Sequence, residues 1–114
     1  MYSVGIDLGG TSAQVVVINK GEILFQTSIA VRDSSSVQHI LDDLSSCIDE
    51  FFVGHSEYVS SIGIAFPSIV DAHNNKILSR YVKYPDAMDF DLEKWAKMKF
   101  GATLFLENDA RAAL

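Results

Sequence analysis

The chain has 114 residues, of which 48% are hydrophobic, and a formal net charge of −6. This length fits one domain with its own core, and the composition excludes a disordered chain. The nine lysines and arginines are scattered, so we expect no nucleic-acid partner. The single cysteine, Cys47, excludes an internal disulfide or a cysteine-based zinc site.

The first 30 residues predict three strands joined by short turns. Residues 1–8 alternate apolar and polar side chains, which indicates a strand with two different faces, and residues 13–18 and 23–30 predict two more strands. The turn signals Gly9-Gly10 and Asn19-Lys20-Gly21 separate them, so we predict an antiparallel meander. The chain enters its first strand without a leader, and no apolar run is long enough to span a membrane. We therefore expect a cytoplasmic protein with no membrane partner.

An amphipathic helix is predicted next. Apolar residues recur at helical spacing from Val37 to Phe52, and their stripe should cover one face of the sheet. Ser35 with Gln38 resembles a capping box, and Gly54 suits the end of the helix.

The rest of the chain alternates strands and helices. Residues 60–66 predict a fourth strand, parallel to its neighbour because a helix precedes it, and residues 69–78 predict a small surface hairpin. Asp91 should cap a short helix that precedes a fifth strand at residues 103–106, and a third helix should begin at Ala110. This order predicts an α/β domain with a five-stranded mixed sheet and three helices. Three meandering strands followed by two crossovers match the ribonuclease H-like arrangement, although periodicity alone predicts only the mixed α/β class.

The segment GIDLGGTS, residues 5–12, is the first motif with chemical content. Gly9 and Gly10 allow a tight turn in which a phosphate can approach the main-chain amides, and Thr11 adds a hydroxyl donor. Asp7, on the polar face near the strand end, can hold a divalent ion directly or through water. The lysine of a Walker loop is missing. A plain glycine turn is the alternative, but the position after the first strand favours a phosphate-binding loop.

The segment LENDARAAL, residues 106–114, is the second motif. Asn108 and Asp109 should stand at the carboxyl end of a strand, where α/β sheets commonly bind ligands. The Asn108 amide suits sugar hydroxyls, and the Asp109 carboxylate can accept the proton of an attacking hydroxyl. An ordinary helix N-cap is the alternative. Two motifs in this order, each at a strand end and roughly a hundred residues apart, favour the catalytic interpretation.

These motifs resemble the ROK family of sugar kinases, within the superfamily of hexokinase, actin and Hsp70. In ROK kinases a segment similar to GIDLGGT binds the phosphates of ATP, and a similar Glu-Asn-Asp-Ala segment carries the catalytic base. The resemblance implies ATP and Mg²⁺ as cofactors, and it implies roles for six residues: phosphate or magnesium binding for Asp7, Gly9, Gly10 and Thr11, sugar contact for Asn108, and base catalysis for Asp109.

A third segment, GIAFPSIVD at residues 63–71, is similar to the Gly-x-x-x-Pro-Gly-x-Val-Asp pattern beside the sugar in ROK members. Ser68 stands where glycine is usual, which changes the space and the donors near the sugar and leaves the substrate open. Arg80, Tyr81, Lys83 and Tyr84 lie where the family often has an Asn followed by a Trp, without a clean match. They either reshape the sugar pocket or cover the surface.

The resemblance implies that residues 1–114 are the N-terminal ATPase and sugar-binding lobe of a ROK kinase, in a protein that forms a homodimer. The second lobe and the family's zinc motif are absent, so any zinc would bind elsewhere in the parent protein. The expected reaction is ATP-dependent phosphorylation of a hexose or N-acetylhexosamine hydroxyl. The lobe alone should be inactive, because catalysis holds ATP and sugar between two lobes.

Two other functions remain open. A ROK transcriptional regulator would bind sugar as an effector, but the sequence shows no basic patch. An actin-like ATPase would have no sugar substrate, and the Asn108-Asp109 pair favours a sugar over that.

Overall fold

The computed structural model describes residues 1–31, 36–53, 59–81 and 83–108. Within these ranges it contains strands, two α-helices and a 3₁₀ turn at Ala87–Asp89. The elements in chain order are β1 (Tyr2–Leu8), β2 (Ser12–Asn19), β3 (Glu22–Ala30), α1 (Val37–Phe52), β4 (Val59–Phe66), β5 (Val70–Asp71), β6 (Lys76–Ile77), α2 (Leu92–Phe100) and β7 (Thr103–Asn108).

Five strands form one mixed sheet in the order β3-β2-β1-β4-β7. The strands β1, β2 and β3 pair antiparallel, as the short turns predict, and β4 and β7 extend the sheet parallel to β1. The carboxyl ends of β1, β4 and β7 therefore meet at one edge, which we call the carboxyl edge. The predicted α/β class, mixed five-stranded sheet and ribonuclease H-like arrangement are confirmed.

Both helices lie on one face of the sheet. The alternating residues Val4, Ile6 and Leu8 of β1 are buried, and their register partners Ile62 and Ile64 on β4 are buried beside them. The apolar stripe of α1 covers this face, and α2 packs against β7 and β4. The intervening side chains of each strand point to the opposite face of the sheet. No helix of the described ranges has the length and apolar character needed to cross a membrane.

The amino end of α1 differs from the predicted capping box. The N-cap is Ser36, whose Oγ accepts a hydrogen bond from the amide of His39 at 3.0 Å. A capping side chain bonds the third residue of the helix, and with the helix starting at Val37 only Ser36 has that spacing. The helix ends at Phe52, and its C-cap residue Val53 has the left-handed conformation, with φ of 52°. Ser35 and Gly54 lie outside the described residues.

The predicted surface hairpin is present as β5 and β6, and its turn closes the outer edge of the main sheet. The side chain of Asn75 accepts a hydrogen bond from the amide of Leu106 at Oδ1 and donates one from Nδ2 to the carbonyl of Leu104, both at 3.0 Å. These are the two groups that a neighbouring strand would pair. The side chain of Asn75 therefore makes the hydrogen bonds that a sixth strand would make, and it covers part of the exposed edge of β7.

The strand β7 runs two residues beyond its predicted end, because Glu107 and Asn108 still pair with Ala65 and Phe66 of β4. Asn108 is thus the last residue of the strand and does not follow it. The third predicted helix, from Ala110, lies outside the described residues, and so does Asp109.

Candidate active site

The diglycine loop between β1 and β2 is a tight hairpin connection. The Gly9 amide donates to the carbonyl of Ser12 at 3.0 Å, and a Cβ on Gly9 would lie 2.7 Å from that same oxygen. Neither Gly9 nor Gly10 has positive φ, so close approach of backbone, and not a left-handed conformation, explains the glycine at position 9. The Gly9 amide is occupied by this bond and is not available to a ligand.

Two amides of the loop remain open. Among the described residues, neither the Gly10 amide nor the Thr11 amide has a hydrogen-bond partner, and Thr11 is exposed. The Thr11 carbonyl accepts a hydrogen bond from Val31 at 2.9 Å, which ties the loop to the end of β3. Open amides at the end of a strand are donors that a phosphate can bind.

Asp7 lies on the sheet face opposite the helices, two residues before the loop. Its side chain is exposed, and its register partners are Gln14 on β2 and Ala65 on β4. The small Ala65 side chain separates it from Glu107 on β7. An accessible carboxylate beside open amides has the oxygen chemistry that Mg²⁺ requires, so the residues fit a magnesium ion bound with phosphate.

The second cluster of predicted site residues lies at the end of β7. The Asn108 Nδ2 donates to the carbonyl of Ser68 at 2.8 Å, so the structure brings these two residues together. The Ser68 hydroxyl donates to the carbonyl of Ser79 at 3.0 Å, and Ser79 Oγ accepts from the Ile69 amide. The Ser68 hydroxyl therefore donates its proton within the protein, and its oxygen can act towards a ligand as a hydrogen-bond acceptor.

Both clusters lie on the carboxyl edge. The loop follows β1 and Asn108 ends β7, with only β4 between these parallel strands. Two strand spacings separate β1 from β7 by roughly 10 Å. Two ligands bound at the ends of these strands could therefore contact each other. Asp109, the expected base, is the next residue after Asn108 and lies outside the described part of the chain.

A pair of tyrosines that the motifs did not identify contacts the loop. Tyr84 is 1% exposed, and its hydroxyl donates to the Gly9 carbonyl at 2.6 Å. The Tyr81 ring stacks on it at 5.9 Å, and a Cβ on Gly10 would lie 2.8 Å from the Tyr81 hydroxyl. Burial, then the neighbouring Tyr81 and Asp7, raise the pKa of Tyr84, so its hydroxyl stays protonated.

Tyr84 is therefore buried inside the domain against the diglycine loop, and it does not cover the surface. Two tyrosines three residues apart, just before Pro85, were the only signal in the sequence, and that spacing does not indicate a contact with residue 9.

Family and structural comparisons identify proteins that resemble this chain. The model of the ROK family matches residues 3–114, whereas no curated protein matches the chain. The ROK hexokinase from Thermus thermophilus superposes with a TM-score of 0.76 at 25% identity, over 99% of this chain and 37% of its own. A ROK glucokinase from Streptomyces griseus, solved with glucose and AMPPNP, superposes with a TM-score of 0.64 at 25% identity, over 99% of this chain and 35% of its own.

A ROK transcriptional regulator, a homolog of the E. coli MLC protein, superposes equally clearly. Its TM-score is 0.73 at 23% identity, over 97% of this chain and 28% of its own, which is a likeness of fold alone. The chain thus spans about a third of the length of its structural neighbours. With the family model matched over nearly every residue, this chain belongs to the ROK family.

Proposed function

We propose that the protein to which this chain belongs transfers a phosphoryl group from ATP to a hydroxyl of a hexose or N-acetylhexosamine. In this proposal the lobe binds both the terminal phosphates of ATP and the sugar. One observation carries the proposal. The open amides of Gly10 and Thr11 and the side chain of Asn108 lie on the same edge of the sheet, with β4 between their strands. A phosphate donor and a sugar held by these groups would face each other.

The diglycine loop would hold the terminal phosphates of ATP. The amides of Gly10 and Thr11 and the Thr11 hydroxyl would donate to phosphate oxygens, which costs little reorganisation because the hairpin is already closed by the bond from Gly9 to Ser12. Asp7 would hold Mg²⁺, directly or through water. When bound, the ion neutralises charge that develops on the phosphates during transfer.

The end of β7 would hold the sugar. The hydrogen bond from Asn108 to Ser68 fixes the plane of the side-chain amide, which would orient Asn108 towards a bound sugar. We assign Asp109 as the general base that accepts the proton of the attacking hydroxyl, since a carboxylate there would stand beside the sugar that Asn108 orients. Ser68 can accept one further hydrogen bond from a sugar hydroxyl.

The test compares catalysis with binding in the complete protein. Asp109→Asn should reduce phosphoryl transfer by about a hundredfold to ten-thousandfold, the usual contribution of a general base, while calorimetry shows sugar affinity within about threefold of the unmodified protein. Asp89→Asn, an equivalent change on the exposed 3₁₀ turn, is the control. Retained turnover in Asp109→Asn would remove that residue as the base.

A transcriptional regulator that binds sugar as an effector remains the second candidate function, because a ROK regulator shares the fold at a TM-score of 0.73. Consumption of ATP separates the two functions. A kinase binds Mg·ATP and consumes it when sugar is present, whereas a regulator binds the sugar without consuming ATP. ADP release measured with a panel of hexoses and N-acetylhexosamines therefore decides between them.

A further inference from the structure

The buried hydroxyl of Tyr84 controls the direction of one peptide group in the diglycine loop. A trans peptide is planar, and its carbonyl and its N–H point in opposite directions. The Gly9 carbonyl and the Gly10 N–H belong to the same peptide unit. Since Tyr84 lies inside the domain and holds the Gly9 carbonyl at 2.6 Å, the Gly10 N–H must point away from the interior.

We propose that Tyr84 is a positioning residue for nucleotide binding, which acts by preventing the Gly9-Gly10 peptide from flipping. This inference rests on the kinase function proposed above. Two consecutive glycines allow such a flip at low cost, because neither has a side chain to oppose it. A flipped peptide would turn the Gly10 N–H inward and present a carbonyl oxygen to the phosphates, which repels them.

Tyr84 is itself held firmly enough to do this. Its ring packs against Phe66, at the carboxyl end of β4, with centroids 5.7 Å apart, and against Tyr81 at 5.9 Å. Its amide donates to the Tyr81 carbonyl at 3.0 Å and its carbonyl accepts from Ala87 at 3.1 Å. The hydroxyl position is therefore set by the core, and it does not depend on the loop that it contacts.

The hydroxyl is also a reliable donor. A carbonyl that loses its hydrogen-bond partner inside a protein is destabilised, so the hydrogen bond from Tyr84 opposes the flip. Burial raises the pKa of Tyr84, which keeps the proton on the oxygen. Tyr81 adds a steric limit, because its hydroxyl lies against Gly10 on the side where a Cβ would be.

The test removes one oxygen atom and leaves the ring in place. In the complete protein, Tyr84→Phe should weaken Mg·ATP binding, measured by calorimetry without sugar, by about tenfold. Sugar affinity should stay within about twofold of the unmodified protein. Tyr2→Phe is the matched control, because it loses the same hydroxyl at the opposite end of β1, where Tyr2 packs on Phe52. It should change neither affinity.

A purely structural role predicts a different result. If Tyr84 only stabilises the fold, Tyr84→Phe lowers the melting temperature and leaves nucleotide affinity unchanged, or lowers both affinities together, and either result overturns the proposal. If the unmodified protein binds sugar but not Mg·ATP, the kinase function fails and the positioning role fails with it. Equal binding of Mg·ATP by the unmodified protein and Tyr84→Phe rejects the positioning role alone.

A second measurement does not depend on any variant folding. In the unmodified protein labelled with [¹⁵N]glycine, Mg·ATP should shift the Gly10 amide proton strongly. The Gly9 amide, which already donates to Ser12, should shift little. A Gly10 amide that does not respond to nucleotide while affinity is intact would contradict the outward direction of this N–H.

Discussion

The carboxylate of Asp86 accepts a hydrogen bond from the amide of Val37 at 2.6 Å, across 49 residues of sequence. Its second oxygen accepts from the amide of Gln38 at 3.3 Å. With Ser36 bonded to the amide of His39, three of the first amides of α1 are satisfied by side chains. A helix leaves these amides without internal partners, and its amino end favours negative charge. Asp86 is therefore a cap supplied from outside the helix.

Replacing this carboxylate should destabilise the domain. Asp86→Ala leaves the amides of Val37 and Gln38 without their acceptor, and we expect the free energy of unfolding to fall by about 1–2 kcal/mol, the usual range for a lost cap. Urea unfolding followed by circular dichroism measures this. Asp89→Ala removes a carboxylate from the exposed 3₁₀ turn nearby and should change stability by less than about 0.5 kcal/mol. Equal effects of the two substitutions would contradict the capping role.

The sequence alone predicted the structural features that depend on residues close together in the chain. The alternation in residues 1–8 predicted the two faces of β1, and the burial of Val4, Ile6 and Leu8 confirms it. Asp91 caps α2 through the amide of Lys94, and Gly101 ends the helix with φ of 65°. Strand periodicity, caps and turn residues act over a few positions, so one sequence can show them.

The remaining features are contacts between residues that are far apart in the sequence. No periodic pattern links Asp86 to Val37, Asn75 to Leu106, or Tyr84 to Gly9. Each pair meets only because the folded sheet brings separate segments of the chain together. The cap predicted at Ser35 was wrong by one residue, which is the usual precision of a helix boundary. The roles of Asp7, Asn108, Ser68 and Asp109 stay predictions, although the structure does place Asn108 against Ser68.

The edge contact of Asn75 should be important for stability. Asn75→Ala removes both hydrogen bonds to β7 and places an alanine at φ of 54°, so we expect a loss of about 2–3 kcal/mol. Asn75→Gly loses the same bonds but tolerates the backbone conformation, and should be about 1 kcal/mol less harmful than alanine. His73→Ala, in the same exposed turn, keeps the side-chain hydrogen bonds of Asn74 and Asn75 and is the control for urea unfolding. Identical stability of the alanine and glycine variants would show that the left-handed backbone is not strained.

Asp71 should titrate below the ordinary range for an aspartate. Hydrogen bonds from the Asn74 side chain at 2.7 Å and from the Asn74 and His73 amides lower its pKa, with the side chain of Asn74 the largest cause. Because the folded pKa is the lower one, the carboxylate contributes stability above its ordinary pKa of about 4 and loses that contribution as the pH falls through the folded value. Carbon-13 NMR of the carboxyl group measures this, and Asn74→Ala should move the pKa upward. A pKa that does not respond to Asn74→Ala would assign the shift to the backbone amides.

Gly10 has two possible reasons for being glycine, and a pair of substitutions separates them. A Cβ at this position would lie 2.8 Å from the Tyr81 hydroxyl, so Gly10→Ala should lower the melting temperature of the protein. Tyr81→Phe removes that oxygen, and the double variant Gly10→Ala with Tyr81→Phe should recover most of the lost stability, a coupling that a double-mutant cycle measures. If the methyl group also occupies space that a phosphate needs, the double variant will be stable but will still bind Mg·ATP weakly. Recovery of both stability and nucleotide affinity would instead make the tyrosine contact the only reason for glycine at position 10.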